Sequence, residues 1–212
     1  MKIDFKKGRL GCNPDTIYID SDISISIYPS DEKYSYFEIF DAEVFEFEKF
    51  DIIDSNDEMQ VEIKVQNDID KVNFASIDLY ILEEYLFEII ARTNKANINI
   101  EADTVKLEVS TTSGNIFISE GVCMRLKSES GDIDLDIEAC EDTEIYASTT
   151  SGDISINMLD VDSYCGEVES ASGNVCDNFG DGGEFTPYLN VKTESGDIEL
   201  TSVEEFDDEE DE

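Results

Sequence analysis

The sequence predicts an all-β fold: a single chain wound into a β-solenoid, whose short units bury a core only by stacking on their neighbours. Three observations predict it. The tetrapeptide Ser-Gly-Asp-Ile recurs in near-copies, with its glycine at Gly114, Gly131, Gly152, Gly173 and Gly196, at spacings of 17, 21, 21 and 23 residues. Apolar residues alternate with polar ones on both sides of each glycine, the period of a strand. The hydrophobic fraction is 40%, enough for a core in a chain that carries 53 Asp and Glu.

Counting from each glycine gives the repeat its content. Two residues on stand Ile116, Ile133, Ile154, Val175 and Ile198; four on stand Ile118, Leu135, Ile156, Asp177 and Leu200. Five residues before come Val109, Leu126, Ala147, Val168 and Val191, and seven before come Leu107, Met124, Ile145, Gly166 and Leu189. Three before is always a hydroxyl, at Thr111, Ser128, Thr149, Ser170 or Thr193. Each unit therefore reads as strand, tight Ser-Gly corner, strand and irregular return. The corner glycines are expected to hold a positive φ. Successive units are expected to stack in chain order about 4.8 Å apart, with like positions in columns.

Along the chain, residues 1–15 are a polar lead, and 17–27 alternate as a strand, a degenerate first coil or a capping strand. Residues 28–50 hold Tyr28, Tyr34, Tyr36, Phe37, Phe40, Phe45, Phe47 and Phe50. This aromatic-rich segment reads as a β cap over the open end of the solenoid; a carbohydrate-stacking platform is the alternative. A turn at Ser55–Asp57 leads to a half-buried strand over 59–65. Over 81–91 helical spacing competes with strand, and register favours strand in the second half. There Ile89, Ala91, Thr93, Ile98 and Ile100 fit the repeat with Ala96 in the glycine position, which adds a sixth coil. The domain reading is a cap with degenerate coils over 1–75, a repeat domain over 76–202 and a disordered acidic tail over 203–212. Residues 177–187 break the pattern as a protruding loop. Its Asn178, Phe179, Asp181, Glu184 and Phe185 are the candidate binding residues, because loops on rigid scaffolds concentrate binding.

Charge bounds function. The formal net charge is −39, from 14 Lys and Arg against 53 Asp and Glu. That excludes a nucleic-acid footprint and docking on anionic membranes. Most of the charge reads as solvated surface, with cation binding or a basic protein partner as the alternative. Neither a secretion signal nor an apolar membrane span is legible, so the expected place is the cytoplasm, with the cell surface open. Five cysteines with no Cys-x-x-Cys spacing read as reduced and structural. Cys123 and Cys165 fall in one column, expected two coils and about 9.6 Å apart, too far for a disulfide.

The position after each glycine forms a polar column of Asn115, Asp132, Asp153, Asn174 and Asp197. Acceptance of backbone N–H bonds at the corner explains it without a ligand; divalent cations such as Ca²⁺ are the weaker candidate. With no His and few basic residues in the coils, no catalytic constellation stands out. Arg125 and Lys127 are expected on an outer face with no partners one coil away.

Four runs of the repeat, TTSGNIFI over 111–118, SESGDIDL over 128–135, TTSGDISI over 149–156 and TESGDIEL over 193–200, carry a resemblance. They are similar to the bacterial putative-adhesin repeat family, clearly over about residues 76–201. The resemblance implies a right-handed single-chain β-helix, and it carries over no catalytic residue and no cofactor. The functional expectation is a non-enzymatic scaffold that binds a protein or glycan, with a cation-binding acidic solenoid as the alternative.

Overall fold

A computed structural model describes residues 6–9, 16–21, 23–41, 49–55, 60–66, 75–82, 87–159, 161, 163–179 and 185–203. Every regular element among them is a strand. The chain opens with β1 (Lys6–Arg9), then the pair β2 (Thr16–Ser21) and β3 (Ser24–Pro29). β4 (Tyr36–Asp41) and β5 (Lys49–Ser55) follow, then the pair β6 (Gln60–Gln66) and β7 (Ala75–Ile81). The regular coils begin with β8 (Phe87–Thr93) and β9 (Ile98–Ile100), then β10 (Thr104–Thr111) and β11 (Ile116–Ile118). They continue with β12 (Cys123–Ser128), β13 (Ile133–Glu138), β14 (Glu144–Thr149) and β15 (Ile154–Leu159). The last two coils are β16 (Cys165–Ser170) with β17 (Val175–Asn178), and β18 (Tyr188–Thr193) with β19 (Ile198–Val203).

Each coil gives one strand to each of two sheets. The first sheet runs β1-β4-β7-β3-β9-β11-β13-β15-β19-β17 and the second β16-β18-β14-β12-β10-β8-β2-β6-β5. The coil strands pair in parallel, while β1, β4 and β5 lie antiparallel at the edges. This is a β-solenoid-like fold. Its core is the space between the sheets, filled by the inward half of each alternating strand. In the first sheet Ile77, Ile25, Ile98, Ile116, Ile133, Ile154 and Ile198 align on successive strands as one column, and all are buried. In the second sheet Ile17, Ile89, Leu107, Met124, Ile145 and Leu189 do the same. Each such side chain contributes about 1.5–3 kcal/mol of burial, and a β-branched residue repeated in one column suits the pleated surface. The register expected from the glycine count is the register observed, including Ala96 in the glycine position of the β8–β9 coil.

The stacking order differs from chain order at both ends. β18–β19, last in sequence, lies between β14–β15 and β16–β17. Likewise β2–β3 lies between β6–β7 and β8–β9. The first coil is thus an interior layer, and the C-terminal strand is held on both sides. A repeat count shows which residues are equivalent but says nothing of the order in which equivalent layers stack, so the expectation of sequential coils failed here. The chain leaves the outermost layer at the end of β17, Asn178, and re-enters in the gap beneath it at the start of β18, Tyr188. Cys123 and Cys165 share a column through Glu144 and Tyr188. They are therefore three layers apart, about 14 Å by strand spacing, and both are free thiols.

The second half of 81–91 is strand, as register favoured. Among the aromatics, Phe37 points into the core. Tyr28, Tyr80 and Tyr36 form a ladder across β3, β7 and β4, with Tyr36 stacked on Tyr80 at 4.4 Å and Tyr28 tilted against it at 5.5 Å. The side chains of Phe40, Phe45, Phe47 and Phe50 lie outside the described residues, as do Asp181, Glu184 and the acidic tail from 204. Among the described residues no helix is long and apolar enough to cross a membrane.

Candidate functional site

The geometry of the Ser-Gly-Asp corner is structural. The hydroxyl three residues before each glycine accepts that glycine's N–H: Thr111 from Gly114 at 2.8 Å, Ser128 from Gly131 at 2.7 Å, Thr149 from Gly152 at 3.0 Å. Ser170 and Thr193 repeat the bond with Gly173 and Gly196. In the later coils the same hydroxyl donates to a glycine carbonyl of the neighbouring layer, Thr149 to Gly131 at 3.4 Å and Ser170 to Gly196 at 2.7 Å. The motif serine donates across layers too, Ser130 to the Thr112 carbonyl and Ser195 to the Thr150 carbonyl. Each member of the corner thus closes a bond that stacking would otherwise leave open.

The reason for glycine is not the expected one. None of the five corner glycines has a positive φ; among the described residues only Gly121 and Gly166 do. A Cβ on Gly152 would instead stand 2.2 Å from the Gly131 carbonyl oxygen, and one on Gly131 2.0 Å from that of Gly114. The layers approach so closely at this corner that no side chain fits between them.

The polar column is a hydrogen-bond ladder between layers. Asn115 N–H donates to Asn97 Oδ1 (2.9 Å), Asp132 N–H to Asn115 Oδ1 (3.0 Å) and Asp153 N–H to Asp132 Oδ1 (3.0 Å). Asp197 N–H then donates to Asp153 Oδ1 (2.8 Å) and Asn174 N–H to Asp197 Oδ1 (2.7 Å). The acceptor serves the next layer rather than its own corner, and the order is Asp153, Asp197, Asn174. Among the described residues no three Cys, Asp or Glu side chains converge as metal ligands.

The candidate loop is partly wall. Asn178 ends strand β17; Phe179 packs edge-on against Tyr164 at 5.6 Å; Phe185 bridges to Val161. Phe179, Phe185 and Tyr164 rest on the core, while Asn178 is exposed. Asp177 takes an inward-parity position there and accepts the Phe179 N–H at 3.3 Å. Burial and the nearby Asp177 raise the Tyr164 hydroxyl's pKa.

A different surface stands out in its charge. The eight parallel strands of the first sheet contain no Lys or Arg, whereas β8, β10, β12 and β18 of the second bring Arg92, Lys106, Arg125, Lys127 and Lys192. Their parity turns them outward. One row across the strands reads Arg92, Ser110, Lys127, Ser148, Lys192, and the next reads Ile90, Glu108, Arg125, Tyr146, Asn190. These ten residues line an open cavity of about 430 Å³. The Arg125 guanidinium lies 5.2 Å from the Tyr146 ring centre, a cation–π contact, and Tyr146 tilts against Tyr188 at 5.6 Å. Lys192 bonds Glu167 at 2.6 Å and Glu169 at 3.0 Å, which raises its pKa. Lys106 pairs with Glu88 and, at 3.5 Å, with Glu108. Among the described residues Arg92 and Lys127 make no ion pair. Arg125 does have a partner one coil away, contrary to expectation. Register in chain order would have given Arg92, Ser110, Lys127 and Ser148 followed by Glu169; the exchange of layers brings Lys192 beside Ser148 instead.

A family model described as Toastrack DUF4097 matches residues 15–210. The chain belongs to this family. The match reaches well beyond residues 76–201, into the N-terminal coils. Among solved structures the chain is similar to a putative cell adhesion protein from Clostridium sporogenes, with TM-score 0.54, 11% identity, and coverage of 94% of this chain and 99% of that one. It is also similar to putative adhesins from Parabacteroides distasonis (TM-score 0.46, 12% identity, 92% and 95% covered) and Parabacteroides merdae (0.40, 15%, 92% and 95%). No curated protein matches. At these identities the likeness is one of fold. For this Toastrack chain, the residues that make the layers stack are thus separate from those that give one face its cations.

Proposed function

We propose that this Toastrack chain is a non-enzymatic binding scaffold whose ligand lies on the outer face of the second sheet. The observation that carries the reading is charge segregation: in a chain of net charge −39, the cations of the parallel strands collect on one face, and two of them, Arg92 and Lys127, make no ion pair among the described residues. Solvation alone gives no reason for that sorting, whereas complementarity to a ligand does. A rigid sheet holds such a surface more firmly than a loop. The adhesion name of the Clostridium neighbour accords with this reading and makes a protein or glycan at a cell surface the natural partner class. The same reading takes β4 and β5 as the end cap expected of the aromatic segment, and takes the winding as right-handed.

The test is binding of the purified chain to immobilised glycans and extracellular-matrix proteins at about 0.15 M salt, beside the double variant R92E/K127E. Binding by the parent and loss in a variant of unchanged melting temperature is the expected result. Equal binding by both would overturn the placement.

A further inference from the structure

We propose that the ligand of this face is a linear acidic glycan carrying one carboxylate or sulfate per disaccharide, laid across the strands along Arg92, Lys127 and Lys192. This rests on the reading that the face is the binding surface.

Spacing is the first argument. Arg92 and Lys127 are two layers apart, as are Lys127 and Lys192, with Ser110 and Ser148 on the intervening strands. Layers about 4.8 Å apart place a cation every 9.6 Å or so, the rise of one disaccharide in an extended chain. Chemistry is the second. Between the cations the row offers hydroxyls, which suit a polyhydroxylated ligand, and the adjoining row offers the Asn190 amide.

Charge density is the third, and it selects against other anions. Acidic groups stand at both ends of the row, Asp20 and Glu169, and along one side of it, Glu108 and Glu167 in the row that holds Arg125 and Glu88 and Glu144 in the row that holds Lys106. A duplex nucleic acid, with a charge about every 1.7 Å, would set phosphates against these carboxylates, as would an anionic membrane. A sparse polyanion meets cations at its charges and hydroxyls between them. Lys192 is already held by Glu167 and Glu169, so Arg92 and Lys127 are the stronger anchors.

The experiment is titration calorimetry of the full chain at about 0.15 M salt with three probes: hyaluronan oligosaccharides (one carboxylate per disaccharide), neutral cello-oligosaccharides and heparin. Hyaluronan should bind in preference to both others. R92S and K127S should each weaken it about tenfold, the cost of one charge-assisted contact, with melting temperature unchanged. Tighter binding of heparin, or hyaluronan binding indifferent to these substitutions, would overturn the proposal. If a matrix protein binds in an R92E/K127E-sensitive way while no glycan does, the glycan fails and the binding face stands. If nothing binds this face, both fail.

Discussion

Gly152 carries a requirement that backbone dihedrals do not express. Its place in the stack is set by distance, since a Cβ would stand 2.2 Å from the Gly131 carbonyl oxygen. Gly152→Ala should therefore destabilise by about 1–3 kcal/mol or more, as overpacking does, read from the denaturant midpoint; a variant that unfolds with the parent would refute the close approach. Asp153 accepts the Asp197 N–H and itself donates N–H to Asp132. Replacing it with Asn keeps an acceptor and removes a charge from the ladder, so stability should hold or rise. Replacing it with Ala leaves the Asp197 N–H without its partner and should cost about 1 kcal/mol.

At the scale of elements, the exchanged layers decide which parts hold together. β16 and β17 pair only with β18 and β19 among the described residues, and most of their side chains are exposed, Val175 at 42%. Hydrogen exchange should find β16–β17 the least protected coil. Truncation before residue 185 should abolish protection there while sparing β12–β15; retained protection would mean that β16–β17 docks elsewhere. Asp134 lies between Phe117 and Ser155 on the flanking strands. Desolvation, then Asp132 and Asp153, raise its carboxyl above its ordinary value of 3.8. The folded chain thus keeps this proton to higher pH than the unfolded one. Its contribution is favourable at acid pH and is lost as pH rises through the folded value. Asp134→Asn should melt about 1–2 °C above the parent at pH 7, allowing for solvent screening, with the advantage gone below pH 3.8. An advantage that persists there would point to packing instead of charge.

Over the whole molecule, the charge of −39 acts through screening, and one carboxylate oxygen each of Asp132, Asp153 and Asp197 already accepts an N–H bond between layers. Ca²⁺ and Mg²⁺ at equal ionic strength should therefore raise the melting temperature alike. A shift specific to Ca²⁺ would show a site coupled to folding and would restore the cation-binding reading.

The sequence by itself determined the strands, their inward faces and the alignment of the glycine, hydroxyl and Asp/Asn columns. All of these follow from a period of two repeated about an invariant corner, which is local information. It did not determine which layer sits beside which, because equivalent coils offer equivalent edges to any neighbour. Only the tertiary structure placed β18–β19 beneath β16–β17 and β2–β3 beneath β6–β7, and so moved Cys165 a further layer from Cys123. The cause of the corner glycine was hidden for the same reason: a carbonyl 2.2 Å from a missing Cβ belongs to another layer. The cationic row was hidden as well. Arg92, Lys127 and Lys192 lie far apart along the chain and become a surface only when register brings every second strand's cation into line.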